Sequence, residues 1–377
     1  WPAYPALRSE RARATFRRLR PTLLRRLTEG GGGDEALVSF DGFLAGLPAG
    51  AQLFALFEAN PPLVDLIADI ASTTPALARY LARNAGVLDA VIGGGFFAPW
   101  PGAAGLARGL AEEIGRAAGY EAMLDAARRW MKDWHFRVGV HHLRGLVGAD
   151  EAGRQYADLA RAVLTALWPA VLDEVARRHG PPPGRGAAVV GLGSLGAGHL
   201  NAASDLDLIV IYDAAGVAAS AGPRPLAARA WYARATQALA TALSAPTAGG
   251  RLYEVDMRLR PSGRQGPVAT SLAAFEAYHR DEAWTWEHLA LTRARVVAGP
   301  PDLGAEVEAV RRRVLAAKAG GPGIARDVAD MRARLLAARG APAPLEPRHG
   351  PGRLMDVELA AQMAALRAAS PARTIGA

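Results

Sequence analysis

The 377-residue sequence contains no cysteine, only two lysines (Lys132 and Lys318) and no long apolar run. The lack of cysteine excludes disulfide bonds, thiolate zinc sites and a cysteine nucleophile, and it fits a reducing compartment. No stretch reaches the roughly 18 uninterrupted apolar residues that a membrane span needs. We therefore expect a cytoplasmic protein with no membrane interaction.

The positive charge is concentrated near the start of the chain. Residues 1–29 hold eight arginines and two glutamates, which gives +6 of the formal net charge of +8. The remainder is almost balanced, and its aromatic residues do not alternate with basic ones as a single-strand-binding groove requires. We expect no nucleic-acid binding, and we interpret the Arg-rich segment as a helix that faces solvent or a partner. Because the sequence begins with Trp1 and has no signal peptide, we expect an excerpt of a longer chain.

Apolar spacing predicts that residues 1–180 are helical. Pro21, Pro61, Pro62 and the Gly30–Gly33 run are expected to divide this region into several helices, and Pro169 to kink or break the last of them. A Gly/Pro-rich segment at residues 180–186 predicts a domain boundary.

Beyond that boundary the sequence predicts a mixed α/β domain over residues 187–300 and a helical region over residues 301–377, so the fold class is α+β. The expected strands are rich in β-branched or alternating apolar residues: Ala187–Gly191, Leu206–Tyr212 and Leu252–Leu259. A second Pro/Gly-rich stretch, Gly340–Gly352, interrupts the helical tail.

The segment between the first two strands carries the chemical signal. Gly193-Ser194 follows the first strand, where a tight turn brings backbone N–H groups close to a phosphate. Asp205 and Asp207 open the second strand on one face, while Leu206 points to the core. Two carboxylates on one face repel each other unless a cation lies between them, and Mg²⁺ prefers such oxygen ligands. The pattern predicts metal-dependent phosphoryl transfer.

A third carboxylate follows on the predicted strand Leu252–Leu259. By the two-residue period Asp256 shares a face with Arg258 and Arg260. Asp256 is predicted to complete the metal site or to accept the proton of an incoming hydroxyl, and the arginines to bind phosphate oxygens. Glu254 lies on the same face, and spacing alone does not separate its role from that of Asp256.

The same residues admit a rival interpretation. Gly191, Gly193 and Gly196 match the dinucleotide-binding fingerprint, with Asp213 about 20 residues further on. A dinucleotide-binding oxidoreductase is therefore an alternative. Against this alternative, only eight residues separate Gly196 from Asp205, which is too few for a crossover helix.

Three longer motifs resemble those of the bifunctional glutamine synthetase adenylyltransferase/adenylyl-removing enzyme: GLGSLGAGHLNAASDLDLIVIYD, LYEVDMRLRPSGRQGP and DEAWTWEHLALTRARVV. The resemblance implies a polymerase-beta-like nucleotidyltransferase domain flanked by helical domains. It also implies that Asp205, Asp207 and Asp256 bind metal, with Gly193-Ser194 as the phosphate-facing turn. The sequences of these motifs resemble the C-terminal, adenylylating half of that enzyme.

That half implies transfer of AMP from ATP, with Mg²⁺, to a tyrosine of glutamine synthetase under control of PII signal protein and glutamine. A nucleotidyltransferase with another acceptor and a regulatory nucleotide-binding module stay as alternatives. The sequence departs from the family pattern where lysine, glutamate, glycine and an aromatic residue are usual, at Ser194, His199, Arg353 and Leu359 respectively. The departures at Arg353 and Leu359 leave the roles of Asp356 and Glu358 open.

Overall fold

The computed structural model describes residues 4–29, 33–47, 49–74, 77–78, 80–81, 95–247, 250–339 and 343–374. Over these residues the protein is α+β and mostly helical, with one mixed sheet, which confirms the predicted fold class. The contacts divide the chain into two compact units, Trp1–Trp100 with Lys132–Ala152 and Pro101–Met131 with Gly153–Ala377. None of the described helices is long and apolar enough to span a membrane.

The first unit begins with four helices around an apolar core. They are α1 (Glu10–Glu29), α2 (Gly33–Gly46), α3 (Ala51–Ala59) and α4 (Pro61–Thr73). The core face of α1 repeats at three- and four-residue spacing, because Phe16, Leu19 and Leu23 are all buried there. The predicted break at Pro21 is wrong, since α1 runs through it. Pro21 is exposed, so the carbonyl group that loses a helical partner can be solvated.

Among the described residues, three further helices precede the sheet: α5 (Gly102–Gly115), α6 (Tyr120–Leu143) and α7 (Ala149–His179). Helix α7 continues through Pro169, so no break occurs at that residue. Its carboxyl-terminal part packs on the sheet, where the Trp168 indole donates to the carbonyl of Ala187 at 3.0 Å. The predicted boundary segment lies between the end of α7 and the first strand. As a division into domains it stays a prediction.

The sheet has five strands: β1 (Gly186–Gly191), β2 (Leu206–Asp213), β3 (Val255–Asp256), β4 (Ala269–Ser271) and β5 (Arg295–Ala298). The central strand β1 pairs antiparallel with β2 on one side and β5 on the other. Beyond β2, the short strands β3 and β4 both pair parallel to it. The first two predicted strands are confirmed, whereas β4 and β5 were not predicted.

Helices cover this sheet and extend from it. In chain order they are α8 (Gly193–Ala197), α9 (Ala228–Ser244), α10 (Leu272–Asp281), α11 (Thr285–Thr292), α12 (Pro301–Lys318), α13 (Ile324–Arg339) and α14 (Leu354–Arg367). One apolar core joins Val190 and Ile209 of the sheet to Phe275, Leu289 and Leu315 of these helices. The Pro/Gly-rich stretch predicted in the tail separates α13 from α14, and its residues 340–342 lie outside the described residues.

Candidate active site

The turn after β1 is built against the second strand. The backbone N–H of Leu192 donates to the carbonyl of Asp207 at 2.9 Å. Gly193 follows with φ +52°, a backbone conformation that favours glycine. A β-carbon at position 193 would lie 2.2 Å from Oδ2 of Asp207, so only glycine leaves room for that carboxylate. Ser194 is exposed at the start of the five-residue helix α8.

The two acids that open the second strand are placed as the sequence predicts. Asp205 is exposed and directly precedes β2, whereas Asp207 is half-buried within it. Leu206 and Leu208 are buried on the opposite face. The strands β2 and β3 are parallel, and their register makes Asp256 the direct neighbour of Asp207. Asp205, Asp207 and Asp256 therefore lie at the same end of the sheet.

The environment shifts the pKa values of Asp207 and Asp256 in opposite directions. Burial, together with the negative charges of Asp205 and Asp256, raises the pKa of Asp207 to about 6. The Arg258 guanidinium, hydrogen-bonded to Asp256, lowers the pKa of that carboxyl. Arg293 and Arg258 oppose the rise at Asp207 through their positive charge. The site thus holds one carboxylate whose negative charge is poorly compensated.

The third predicted strand is wrong outside Val255–Asp256, because the chain turns at Met257. Arg258 folds back, so that its backbone N–H and its Nε donate to Asp256 at 2.8 and 2.7 Å. Arg260 donates to the carbonyl groups of Met257, Gly266 and Arg264 at 2.7, 3.3 and 3.3 Å. The predicted common face of Asp256, Arg258 and Arg260 therefore does not form as a strand face.

The structure separates Asp256 from Glu254. The side chain of Glu254 is 70% exposed and pairs with Arg251, whereas that of Asp256 is 14% exposed beside Asp207. An open cleft of about 360 Å³ lies over this region, lined by Asp205, Glu254, Asp256, Arg258, Arg260 and Arg264. Asp207, Gly193 and Ser194 do not line it. Asp207 lies beside it as the strand neighbour of Asp256, and Gly193 packs against Asp207.

The arrangement suits a hard cation on chemical grounds. Among the described residues no group of three acids or histidines is placed to hold a metal ion. The Asp256 carboxylate accepts from Nε of Arg258. Asp205 and Asp207 are nevertheless two carboxylates within electrostatic reach, and their repulsion contributes to the raised pKa of Asp207. A divalent cation would remove that repulsion. Asp256 can join such a site once Arg258 releases it.

Two cationic residues near the acids were missed by sequence reasoning. Arg264 is exposed in the cleft, and its charge helps to lower the pKa of Asp256. Arg293 follows α11, and its charge acts on Asp207. Neither belongs to a spacing pattern that connects it to the acids, because only the folded loops bring them close.

The dinucleotide interpretation is wrong. The strands that flank the Gly-rich turn are antiparallel, and the only helix between them is the five-residue α8. A dinucleotide-binding unit needs parallel strands joined by a crossover helix. The glycines instead permit close packing: a β-carbon at Gly196 would lie 2.1 Å from the carbonyl oxygen of Arg293.

Two of the residues at the departures from the family pattern, and the two acids near them, have structural partners. Arg353 precedes α14 and donates to the carbonyl of Ala343 at 3.1 Å, and Leu359 packs against the apolar core. Asp356 accepts from Arg332 and from the backbone N–H of Gly352. Glu358 lies 3.6 Å from Arg293.

The site is a candidate for phosphoryl transfer, and it lies at one end of a mixed sheet in an α+β fold. It combines acids from two neighbouring strands, a glycine turn fitted to one of these acids, and surrounding arginines. Comparison with known proteins gives the family. The chain belongs to the glutamate-ammonia ligase adenylyltransferase family, whose model matches residues 64–310.

Curated relatives carry the name bifunctional glutamine synthetase adenylyltransferase/adenylyl-removing enzyme. The protein from Rhizobium meliloti is 44% identical over 99% of this chain and 38% of its own length. Those from Agrobacterium fabrum and Xanthobacter autotrophicus are 44% and 43% identical over 84% and 95% of this chain, and over 32% and 36% of their own lengths. The chain thus spans between about a third and two fifths of the relatives it matches, which confirms the family resemblance for one part of such an enzyme.

Proposed function

We propose that this chain is an adenylyltransferase that moves AMP from ATP to a tyrosine hydroxyl of glutamine synthetase. The observation that carries the proposal is the position of Asp207 beside Asp256 in the strand register and against a glycine turn, in a chain of the adenylyltransferase family. The names of its relatives supply the acceptor. The proposed fold of residues 187–300 is a polymerase-beta-like nucleotidyltransferase domain.

We propose the following reaction at the acid site. In the proposed reaction the acceptor oxygen attacks the α-phosphorus, the bond to the bridging oxygen breaks and pyrophosphate leaves. The family implies a divalent metal, and we propose Mg²⁺ held by Asp205 and Asp207, with Asp256 either completing that set or accepting the proton of the hydroxyl. When bound, the cation supplies positive charge to the triphosphate.

The remaining residues have supporting roles in this proposal. Gly193 and Ser194 present backbone N–H groups to phosphate. Arg258, at the cleft, is free to contact a phosphate once it leaves Asp256. Arg260 acts mainly by holding the turn that follows Asp256, because its guanidinium already donates to backbone carbonyl groups.

We infer that the chain corresponds to the adenylylating half of the longer relatives. The motif LYEVDMRLRPSGRQGP, which resembles the adenylylating half, supports this inference. One glycine turn with one acid pair accounts for a single activity. Control by PII signal protein and a cytoplasmic location belong to the same proposal.

Two mass-spectrometric assays test it. Incubation of the chain with ATP, Mg²⁺ and glutamine synthetase should attach AMP to a tyrosine, and Asp207→Asn should not. Incubation with adenylylated glutamine synthetase, phosphate and PII protein should leave the AMP in place. Efficient removal would overturn the assignment to the adenylylating half, whereas AMP on another protein only would replace the acceptor.

A further inference from the structure

Arg293 lies at the same end of the sheet as the glycine turn. It connects α11 to β5, and the register pairs Arg295 of β5 with Gly191 at the end of β1. The carbonyl oxygen of Arg293 packs so closely on Gly196 that a β-carbon there would be 2.1 Å away. Helix α8, which begins at the glycine turn, therefore rests on the backbone of Arg293.

Buried or half-buried arginines fix this backbone on both sides of Arg293. Arg311, which is 2% exposed, donates through Nε to the carbonyl of Leu291 at 2.7 Å and through Nη2 to that of Thr292 at 2.5 Å. Arg373 donates to the carbonyl of Ala294 at 2.7 Å. The carbonyl groups at the end of α11 thus have side-chain donors, which holds the connection in one conformation.

The side chain of Arg293 is fixed as well. The side-chain oxygen of Gln362, in the amide orientation that its neighbours require, accepts from Nε and Nη2 of Arg293 at 2.9 and 2.6 Å. Glu358, one helical turn earlier on α14, lies 3.6 Å from Nη1, an ion-pair distance that is too long for a hydrogen bond. Among the described residues Nη1 makes no hydrogen bond, so the guanidinium keeps donors for an anion.

The charges around the acids leave Arg293 suited to this task. Arg258 is engaged by Asp256, and Arg260 by backbone carbonyl groups. The side chain of Arg293 stays 24% exposed, and its charge acts on Asp207. An arginine that is oriented in advance binds a phosphate oxygen with little loss of side-chain entropy.

We propose that Arg293 binds a phosphate oxygen of the nucleotide, and that Glu358 and Gln362 of α14 are its positioning residues. The proposal rests on the function proposed above and adds to it a phosphate-binding residue and a role for α14. It also assigns a role to residues 356–362 (DVELAAQ), which contain both positioning residues.

Calorimetric titration of the full chain with ATP and with adenosine, both with Mg²⁺, tests the proposal. Arg293→Ala should weaken ATP binding about tenfold to hundredfold, the loss of one charge-assisted hydrogen bond, and leave adenosine binding unchanged. Arg293→Lys should recover part of the loss. Gln362→Ala should weaken ATP binding about threefold to tenfold, because Arg293 keeps its charge but loses the acceptor that orients it. Arg367→Ala removes one positive charge from the exposed end of α14 and serves as the matched control.

The outcomes separate this proposal from the one it rests on. If the unaltered chain fails to bind ATP, the proposed function fails. If it binds ATP and a folded Arg293→Ala keeps the wild-type ratio of ATP to adenosine affinity, the role of Arg293 is overturned. Should Arg293→Ala not fold, Gln362→Ala and Glu358→Gln decide, because an unchanged ratio in both variants overturns the proposal.

Discussion

The Cα atom of Gly193 faces the carboxylate of Asp207, and a β-carbon there would lie 2.2 Å from Oδ2. The glycine turn and the half-buried acid are therefore built for each other, although 13 intervening positions separate them in the sequence.

Gly193→Ala should reduce AMP transfer about hundredfold, because the methyl group displaces the Asp207 carboxylate by ångströms. Gly216→Ala is the control: its φ is +77° and a β-carbon there meets nothing within 4 Å. Both variants carry backbone strain of about 1–2 kcal/mol. The thermal shift of Gly216→Ala therefore measures that strain, and any excess shift of Gly193→Ala measures the displacement of the Asp207 carboxylate. Equal loss of transfer in both would show that backbone strain alone is responsible.

Asp205→Asn and Asp207→Asn should each reduce AMP transfer to below about 1% of the wild-type rate. The protein should stay folded, because the proposed role of these carboxylates is to bind the metal and they are not part of the apolar core. Steady-state assays with glutamine synthetase as acceptor, accompanied by circular dichroism, measure both properties. Near-normal transfer by either folded variant would remove the metal-site argument.

Without metal, Asp207→Asn should stabilise the protein at pH 7.5. The pKa of Asp207 is raised from 3.8 to about 6 in the folded state, so folding costs free energy once the carboxyl ionises. That cost is absent below pH 4, grows between about pH 4 and 6, and reaches roughly 1–3 kcal/mol above pH 6. Urea unfolding of both proteins across this range measures it. A stability difference that grows toward acid pH would contradict the assignment.

Asp256→Asn should abolish most AMP transfer, whereas Glu254→Gln should change it by less than about threefold. Asp256 lies beside Asp207 in the strand register, while the Glu254 side chain is largely exposed and paired with Arg251. The two substitutions remove the same charge two residues apart, so each controls for the other. The reverse ranking would move the third acid to Glu254.

Arg260→Ala should lower the thermal unfolding temperature more than Arg264→Ala does. The guanidinium of Arg260 joins the carbonyl groups of three turn residues, whereas Arg264 is exposed. Breaking such buried or half-buried hydrogen bonds costs about 1–3 kcal/mol. Thermal melts of the two variants, each losing one arginine, give the comparison. Equal melting temperatures with a selective loss of ATP affinity in Arg260→Ala would restore the phosphate-binding role predicted from sequence.

The central part of the site could be predicted because its signal is local. Asp205 and Asp207 are two residues apart, and the strand period alone places them on one face above Leu206 and Leu208. Gly193-Ser194 follows a run of apolar residues that forms β1, so the turn was evident as well. The helical period likewise predicted most of the helices.

The remainder depends on contacts between distant segments. The alternation after Tyr253 suggested a long strand, but the chain turns once Arg258 bonds to Asp256. The short strands β4 and β5 carry too few residues for a period, and they form only by pairing with β2 and β1. Arg293 enters the site through Gly196 and Gln362, which lie 97 and 69 positions away in the sequence.

The Gly/Pro-rich segment at residues 180–186, which composition suggests as a place to cut the protein, is fastened to helix α9. Trp231 donates to the carbonyl of Gly180 at 3.1 Å, and the Tyr232 hydroxyl to that of Pro183 at 2.7 Å. Proteases should therefore cleave slowly there, although six of the seven residues are proline or glycine. A truncated protein that begins at Ala187 would also lose Trp168, whose indole covers the first strand. A fragment that begins before α7 should therefore be more stable than one that begins at Ala187.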